Sequence, residues 1–211
     1  MKTVYIVFSR TNTSIGKFIR FMTGGVYNHT SFSFEPSLCD MYSVSRYRCD
    51  VPLAGGFVVE HPARYAFGTD YNRVRVKIAA LEISDERYEA LHGRIDRYLD
   101  GGSDILYNTI GAVTSYLGHD LILRDTYTCV EFVSEAIGAG RLSSIAALER
   151  ALRPYVIYSG RLAVWLAMRR CAELIYPQYD SDFFAHVRRS EVVTSTAGHF
   201  GALLRRFAGL E

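Results

Sequence analysis

One cysteine and one histidine are the residues whose types and positions could do covalent chemistry. Cys129 lies in the stretch YTCVEFVSEAIGAG (127–140), directly after Thr128 and two residues before Glu131. The pattern T-x-x-E is that of a capping box, so we predict a short helix with Thr128 as N-cap and Cys129 as its first residue. The free N–H groups and the dipole of a helix N-terminus stabilise a thiolate and can hold an oxyanion. This position therefore supplies a nucleophile and part of an oxyanion hole, but no base.

A base is available if His29 lies near the thiol in the fold. His29 opens the alternating stretch HTSFSF (29–34), in which His29, Ser31 and Ser33 share one face of a predicted strand. The two small residues leave room for a helix on that face, and a helix that begins with cysteine would bring thiol and imidazole within reach. The competing interpretations are that Cys129 is an inert buried residue, and that His29 has its hydrogen bonds satisfied in the core or at the surface.

A third residue should orient the imidazole, and the sequence leaves its identity open. The strand predicted at 41–47, MYSVSRY, offers Ser43, whose hydroxyl would hold an imidazole N–H more weakly than an anion does. Glu60, at the end of GFVVE (56–60), is the alternative if that strand lies beside His29. Otherwise Glu60 is a solvated strand end. A weak orienting residue would leave room for a slower enzyme or a catalytically silent relative.

The residues that flank the Cys/His pair are candidates for holding an oxyanion or a substrate. Tyr27 lies two positions before His29, and Tyr127 and Thr128 directly precede Cys129. Either tyrosine could place a hydroxyl near an oxyanion. Aromatic packing around a cleft explains both tyrosines equally well.

The elements that must position these residues follow a segregated order of strands and then helices. Apolar alternation and turn residues predict strands at 4–8, 29–34, 41–47, 56–60, 73–83 and within 154–162. Apolar residues at helical spacing predict helices around 15–22, after Ser84, over 105–117, after Thr128 and from about 165 to 176. This order favours an α+β fold with an antiparallel sheet packed against helices.

The order of these segments also resembles that of a known superfamily. The segments that carry the resemblance are YNHTSFSFEP, MYSVSR, GGFVVE, VKIAALEISDERYEAL, YNTIGAV and YTCVEFVSEAIGAG. They look like the circularly permuted NlpC-type, papain-like superfamily, which includes lecithin retinol acyltransferases and bacterial permuted papain-like amidases and lipid hydrolases. In that superfamily the histidine strand precedes the cysteine helix. The resemblance implies a permuted papain-like fold with Cys129 as the nucleophile and His29 as the base.

The resemblance also implies a division of the chain. Residues 1–162 would form a permuted papain-like catalytic domain, and residues 163–211 would be a C-terminal helical extension for which the family pattern does not account. The segment 198–210 has an apolar side and a basic side, formed by Phe200, Leu203, Leu204 and Phe207 and by Arg205 and Arg206. We expect this helix to pack on the domain, and contact with a partner or a membrane surface is the alternative.

The composition bounds the partners and the location. The chain has 211 residues and a net charge of +2, which is too balanced to favour nucleic acid as a partner. The N-terminal apolar run is short for a secretory signal and no apolar stretch is long enough to span a membrane, so we expect a cytoplasmic protein with reduced thiols. Cys39, Cys49, Cys129 and Cys171 form no CxxC motif and no tight Cys/His cluster in the sequence, so we expect no metal and no other cofactor.

Taken together, the residues and the resemblance predict a thiol hydrolase that works through a thioester acyl-enzyme. It would be an amidase, a peptidase or an acyl-ester hydrolase, and its substrate an amide- or acyl-bearing peptide, protein or lipid. The alternatives are a catalytically silent papain-like binding or scaffold protein, and an acyltransferase that acts at a lipid surface through the basic tail.

Overall fold

The computed structural model of the protein describes residues 1–11, 25–67, 69–101, 104–114 and 122–209. Within these ranges, eight strands form one sheet and seven α-helices accompany it. The helix predicted around 15–22 and the end of the helix predicted for 105–117 lie outside the described residues. None of the helices in the described ranges has the length and the apolar character that crossing a bilayer requires.

The strands and helices follow one another as the segregated pattern predicts, with most strands in the first half of the chain. The strands are β1 (Lys2–Arg10), β2 (His29–Ser33), β3 (Met41–Arg46), β4 (Gly55–Glu60), β5 (Arg75–Ile83), β6 (Leu106–Tyr107), β7 (Thr126–Tyr127) and β8 (Val156–Arg161). The helices are α1 (Asp85–Leu99), α2 (Thr109–Thr114), α3 (Cys129–Ala136), α4 (Ile145–Ala151), α5 (Leu162–Met168), α6 (Ser181–Phe184) and α7 (Arg189–Phe207). Single 3-10 turns lie at Pro62–Ala66, Tyr71–Arg73, Arg153–Tyr155, Ala172–Ile175 and Pro177–Asp180.

The sheet has the strand order β7-β6-β4-β3-β2-β1-β5-β8. Its neighbouring strands are antiparallel except for β6 and β7, which run parallel. The α+β class is therefore confirmed, and the prediction of a purely antiparallel sheet is wrong at this edge. In β2, Ser31 lies opposite Val7 of β1 and Phe32 lies opposite Tyr42 of β3, so the histidine strand lies in the interior of the sheet.

Helices cover both faces of the sheet, so two apolar layers bury it. On one face, Phe32 of β2 stacks on Phe132 of α3 with ring centroids 6.1 Å apart, and α1 adds Leu91. On the other face, Met41 of β3 packs with Tyr65 and with α5. Burial on both faces fits the near-continuous apolar run of β1, which would be unfavourable on a sheet with one wet face.

The cysteine helix packs on the face of β2 opposite to the predicted one. Phe32 contacts α3, whereas Ser31 points to the other face, where its Oγ lies 2.5 Å from the hydroxyl of Tyr65. The small side chain at position 31 therefore makes room for the 3-10 turn that follows β4, and not for α3. The thiol approaches His29 because His29 is the first residue of its strand and α3 begins at that end of the sheet.

Two predicted helices differ from those observed because tertiary contacts override local preference. Leu106 lies in a strand, since it pairs with Gly56 on one side and Thr126 on the other, and the helix begins only at Thr109. The helix predicted from about 165 to 176 ends at Met168, because Arg170 adopts a positive φ of 59°. Short 3-10 turns continue the chain from there.

Residues beyond 162 pack on the same core as the sheet. Leu162, Trp165 and Leu166 of α5 are buried in the layer that contains Met41. His199 of α7 is buried as well, and its Nε2 lies 2.9 Å from the carbonyl oxygen of Tyr107. The division predicted at residue 162 thus coincides with no break in the packing.

The last helix buries only part of the apolar side that the sequence pattern predicts. Leu203 is buried, but Leu204 and Phe207 are 60% and 68% exposed. Arg206, which was predicted on the solvent side, donates to the carbonyl oxygens of Asp104 at 2.6 Å and Asp125 at 2.7 Å. These bonds to a neighbouring loop fix the rotation of α7, so part of its apolar side faces outward.

Candidate active site

The local structure around Cys129 is the one that the sequence predicts. Thr128 Oγ1 accepts from the N–H of Glu131 at 3.3 Å, and the Glu131 carboxylate accepts from the N–H of Thr128 at 2.7 Å, so the capping box is confirmed. Arg141 binds the other oxygen of Glu131 at 3.1 Å. Gly138 follows the helix with a φ of +74°, which suits glycine. Cys129 is therefore fixed as the first helical residue, and it is 7% exposed.

The three residues predicted to hold an oxyanion or substrate have other partners. The N–H of Thr128 is bound to Glu131, so it is not available to a ligand. The hydroxyl of Tyr127 donates to a carboxylate oxygen of Glu135 at 3.3 Å. Tyr27 is buried against Phe8, with ring centroids 6.2 Å apart. The structure therefore favours aromatic packing for both tyrosines and a capping role for the threonine.

Glu60 is the residue that holds the imidazole of His29. Nε2 of His29 lies 2.8 Å from Oε2 of Glu60, whose side chain is 1% exposed. The same carboxylate accepts from the hydroxyl of Tyr65 at 3.1 Å and from Ser45 Oγ at 2.5 Å, and Arg64 lies 3.9 Å away. The alternative of a solvated strand end is wrong, because this carboxylate is buried and its two oxygens are both hydrogen-bonded.

Ser43 does not contact the imidazole, so the prediction that it accepts a bond from His29 is wrong. Its hydroxyl donates to the carbonyl oxygen of Thr30 at 2.9 Å. The register of β2 and β3 pairs Phe32 with Tyr42, which puts position 43 opposite position 31, two residues from His29. The serine that matters is Ser45, which acts on the imidazole only through Glu60.

Cys129 is the second partner of the imidazole. Cys129 and His29 line one cleft, and Cys129 is near enough to the imidazole to contribute to the raised pKa of His29. Since Nε2 is bonded to Glu60, Nδ1 is the ring nitrogen left for the thiol. The fold therefore brings residues 29, 60 and 129 together from three separate elements, in the order thiol, imidazole, carboxylate.

Electrostatics favour the charged forms of the imidazole and the carboxylate despite burial. Burial by itself lowers the pKa of His29, but the charges of Glu60 and then Cys129 outweigh it and raise that pKa to about 10. Burial raises the pKa of Glu60, but His29, Arg64 and Ser45 outweigh it and lower that pKa to about 2. At neutral pH the pair is thus imidazolium and carboxylate, and an imidazolium is the counter-ion that a thiolate nucleophile needs.

The rest of the cleft wall comes from residues that the sequence patterns did not single out. They are Thr11, Asn28, Val44, Arg46, Pro52, Arg64, Tyr65, Tyr107 and Phe183, together with Ser45 beside Glu60. Asn28 could have been noticed, since it directly precedes His29 in a polar turn, and its Nδ2 donates to Thr11 Oγ1 at 2.6 Å. Arg64 lies in no motif, Arg46 ends the segment MYSVSR without a role that the pattern assigns to it, and Phe183 comes from the far end of the chain.

The C-terminal segment completes this wall. Arg64 makes two parallel bonds to the carboxylate of Asp180, from Nε at 2.9 Å and from NH2 at 3.0 Å. The ring of Phe183 lies under the same guanidinium, 4.3 Å from its carbon. Both partners lie beyond residue 163, so the site includes part of the predicted extension.

A second polar cluster lies outside the cleft. One possible ligand atom from each of Cys39, Asp40 and His61 lies within 4.8 Å of the other two, and Nδ1 of His61 bonds to the carbonyl oxygen of Cys39 at 2.6 Å. The sequence shows no such cluster, because the fold joins two residues that are 22 positions apart in the chain. Burial raises the pKa of the Cys39 thiol, which disfavours the thiolate that binds a metal, and none of the three residues lines the cleft.

Comparison of the chain with protein-family models, curated proteins and solved structures found no match. What the site does is therefore inferred from its own geometry and from the segments that carry the resemblance.

Proposed function

We propose that the protein is a thiol hydrolase of the permuted papain-like type, which cleaves an amide or acyl ester through a thioester acyl-enzyme. The observation that carries this proposal is the series Cys129, His29, Glu60 in one cleft, with Cys129 at the N-terminus of α3 and a buried carboxylate behind the imidazole. Nucleophile, base and orienting anion in this order are the parts of a catalytic triad. The order of histidine strand before cysteine helix supports the permuted form of the fold.

Each residue has a defined task in the reaction. The Cys129 thiolate attacks the carbonyl carbon, a C–S bond forms, and the carbonyl electron pair moves to oxygen. The N–H of Cys129 lies at the first helical position, outside the helical ladder, and would donate to this oxyanion. His29 gives its proton to the leaving nitrogen or oxygen as that bond to carbon breaks. Water then transfers a proton to His29 and attacks the thioester, which releases the acid and the thiolate.

Glu60 stays ionised throughout this cycle. Its bond to Nε2 fixes the ring so that Nδ1 faces the thiol, and its charge stabilises the imidazolium. A neutral serine as the orienting residue would bind the imidazole weakly and would leave room for a catalytically silent scaffold. A buried carboxylate 2.8 Å from the imidazole supports the catalytic reading, because charge-assisted bonds are about twice as strong as neutral ones.

The experiment that tests the proposal is capture of the acyl-enzyme. The protein is mixed with a panel of activated acyl esters and amides, and the Cys129 peptide is weighed by mass spectrometry. We expect an added acyl group in the wild type, none in Cys129→Ser, and formation slowed by about 10²–10⁴-fold in His29→Ala. Cys171→Ser is the matched control, because it removes a thiol outside the cleft. An unacylated Cys129 whose alkylation is slow and indifferent to His29 would refute the proposal.

Acyl transfer at a lipid surface is a second candidate, which the outer side of α7 favours. Val193, Leu204 and Phe207 are 66%, 60% and 68% exposed and lie along one side of that helix. Lipid binding would be tested by sedimentation with anionic vesicles, comparing wild type with Leu204→Glu/Phe207→Glu. Loss of sedimentation in this variant, with unchanged alkylation of Cys129, is the result expected for a lipid-docking helix.

A further inference from the structure

Arg46 places a half-buried guanidinium in the wall of the cleft that contains Cys129 and His29. No carboxylate oxygen of the described residues comes within 4.0 Å of it. Its guanidinium makes one hydrogen bond within the described part of the chain, from NH1 to the carbonyl oxygen of Cys49 at 3.2 Å. A guanidinium carries five N–H donors, so most of them have no acceptor in this part of the protein.

The other charged side chains of the cleft wall form ion pairs, whereas Arg46 forms none with the described residues. His29 is paired with Glu60, and Arg64 is paired with Asp180 through two bonds. Burial lowers the pKa of Arg46 from its ordinary value, since water has been removed from around the charge. A desolvated cation without a counter-ion is costly to the folded protein, and an anion bound beside it would relieve that cost.

The guanidinium is also held in a fixed orientation. Its carbon lies 5.7 Å from the ring of Phe67 and 5.5 Å from the ring of Phe183. The two rings meet edge to face with centroids 6.0 Å apart, so they form a rigid support. A planar fork that is fixed in advance binds a carboxylate or a phosphate with little loss of side-chain entropy.

We propose that Arg46 binds an anionic group of the substrate, a carboxylate or a phosphate, while Cys129 attacks a carbonyl of the same molecule. This inference rests on the proposed hydrolase function and narrows its substrates to acyl or amide compounds that carry an acid group close to the bond that is cleaved. Arg46 is then a residue that determines specificity, and the aromatic and apolar wall around it contacts the uncharged part of the substrate.

The test compares alkylation of Cys129 by two reagents of similar size, anionic iodoacetate and neutral iodoacetamide. Rates are measured on the Cys129 peptide by mass spectrometry in wild type, Arg46→Met, Arg46→Lys and the surface control Arg97→Gln. We expect the ratio of the iodoacetate rate to the iodoacetamide rate to fall about tenfold in Arg46→Met, because one nearby positive charge is lost. The ratio should be partly retained in Arg46→Lys and unchanged in Arg97→Gln. The ratio cancels any change in the reactivity of the thiol itself, and circular dichroism of each variant reports that it is folded.

The outcomes separate this inference from the function on which it rests. A thiol that reacts slowly with both reagents in the wild type would refute the hydrolase proposal. A reactive thiol whose rate ratio is the same in wild type and Arg46→Met, or falls equally in Arg97→Gln, would overturn the anion site alone. Protection against iodoacetamide by acetate or by inorganic phosphate, lost in Arg46→Met, distinguishes a carboxylate site from a phosphate site. Protection by neither anion counts against the site.

Discussion

Replacing Glu60 by glutamine is the sharpest perturbation of the candidate site. The amide keeps the size of the side chain, but it removes the negative charge 2.8 Å from Nε2 of His29. The imidazolium then has no adjacent anion on that side, so its proton is held less tightly. A weaker imidazolium in turn stabilises the Cys129 thiolate less. We therefore expect Glu60→Gln to shift the alkylation profile of Cys129 to higher pH and to slow alkylation at neutral pH.

The size of this effect follows from the charges involved. The rise of the His29 pKa from 6.5 to about 10 corresponds to about 5 kcal/mol at about 1.4 kcal/mol per pH unit. Glu60 is the largest of the causes that raise it, ahead of Cys129. Two unit charges about 4 Å apart interact with about 4 kcal/mol at the effective dielectric constant of about 20 that suits protein sites. We thus expect removal of the Glu60 charge to lower the pKa of His29 by about two pH units or more, and alkylation of Cys129 at neutral pH to slow at least about tenfold.

The assay is iodoacetamide alkylation of Cys129 between about pH 5 and about pH 10, a range that brackets the ordinary histidine and cysteine pKa values. The Cys129 peptide is quantified separately from those of the other thiols. Ser43→Ala is the matched control, because it removes a buried hydroxyl of β3 that bonds to Thr30 and not to the imidazole. An unchanged profile in Glu60→Gln, or an equal shift in Ser43→Ala, would show that Glu60 does not govern the pair.

Three further predictions concern stability and are checked by chemical unfolding. The folded-state pKa of His29 is raised from the unfolded value of 6.5 to about 10. The stabilisation that this shift gives is therefore complete below about pH 6.5 and is lost as pH rises through about 10. Over this range the free energy of unfolding of the wild type should fall by up to about 5 kcal/mol, and that of His29→Gln by much less. Thr128→Ala should lower the free energy of unfolding by about 1–2 kcal/mol, because it removes the cap of α3 and leaves the N–H of Glu131 without its acceptor. An unchanged unfolding midpoint would contradict the capping argument. Asp180→Asn should lower the free energy of unfolding by about 3 kcal/mol, because it leaves the buried guanidinium of Arg64 unpaired. The control Asp182→Asn, at an exposed position, should change it very little. Equal effects of the two substitutions would show that the ion pair adds no stability.

The sequence by itself determined the features that depend on residues close together in the chain. The capping box joins Thr128 to Glu131 through bonds that span three residues, so the start of α3 and the position of Cys129 could be predicted and are confirmed. The strand that begins at His29 was equally readable, because alternation has a period of two residues. The α+β class was also predicted correctly, because these local patterns determine the order of strands and helices along the chain.

Tertiary structure alone decided which residues meet. Ser43 and Glu60 were both reasonable partners for His29, and the choice depends on the strand register and on which carboxylate becomes buried. The face on which α3 packs was predicted wrongly, because Ser31 makes room for Tyr65, which follows a different strand. Such contacts join residues that are about 30 positions or more apart, and no local pattern encodes them.

The charge balance of the cleft is the clearest case of a property that the sequence could not give. The chain has 24 lysines and arginines and 22 aspartates and glutamates, so the composition shows almost equal numbers of positive and negative charges. Arg64 and Asp180 become partners only because the C-terminal segment packs against the 3-10 turn that follows β4, and that pairing leaves Arg46 in the cleft wall without an ion-pair partner among the described residues. Electrostatic energy depends on distance and burial, and the fold sets both of these.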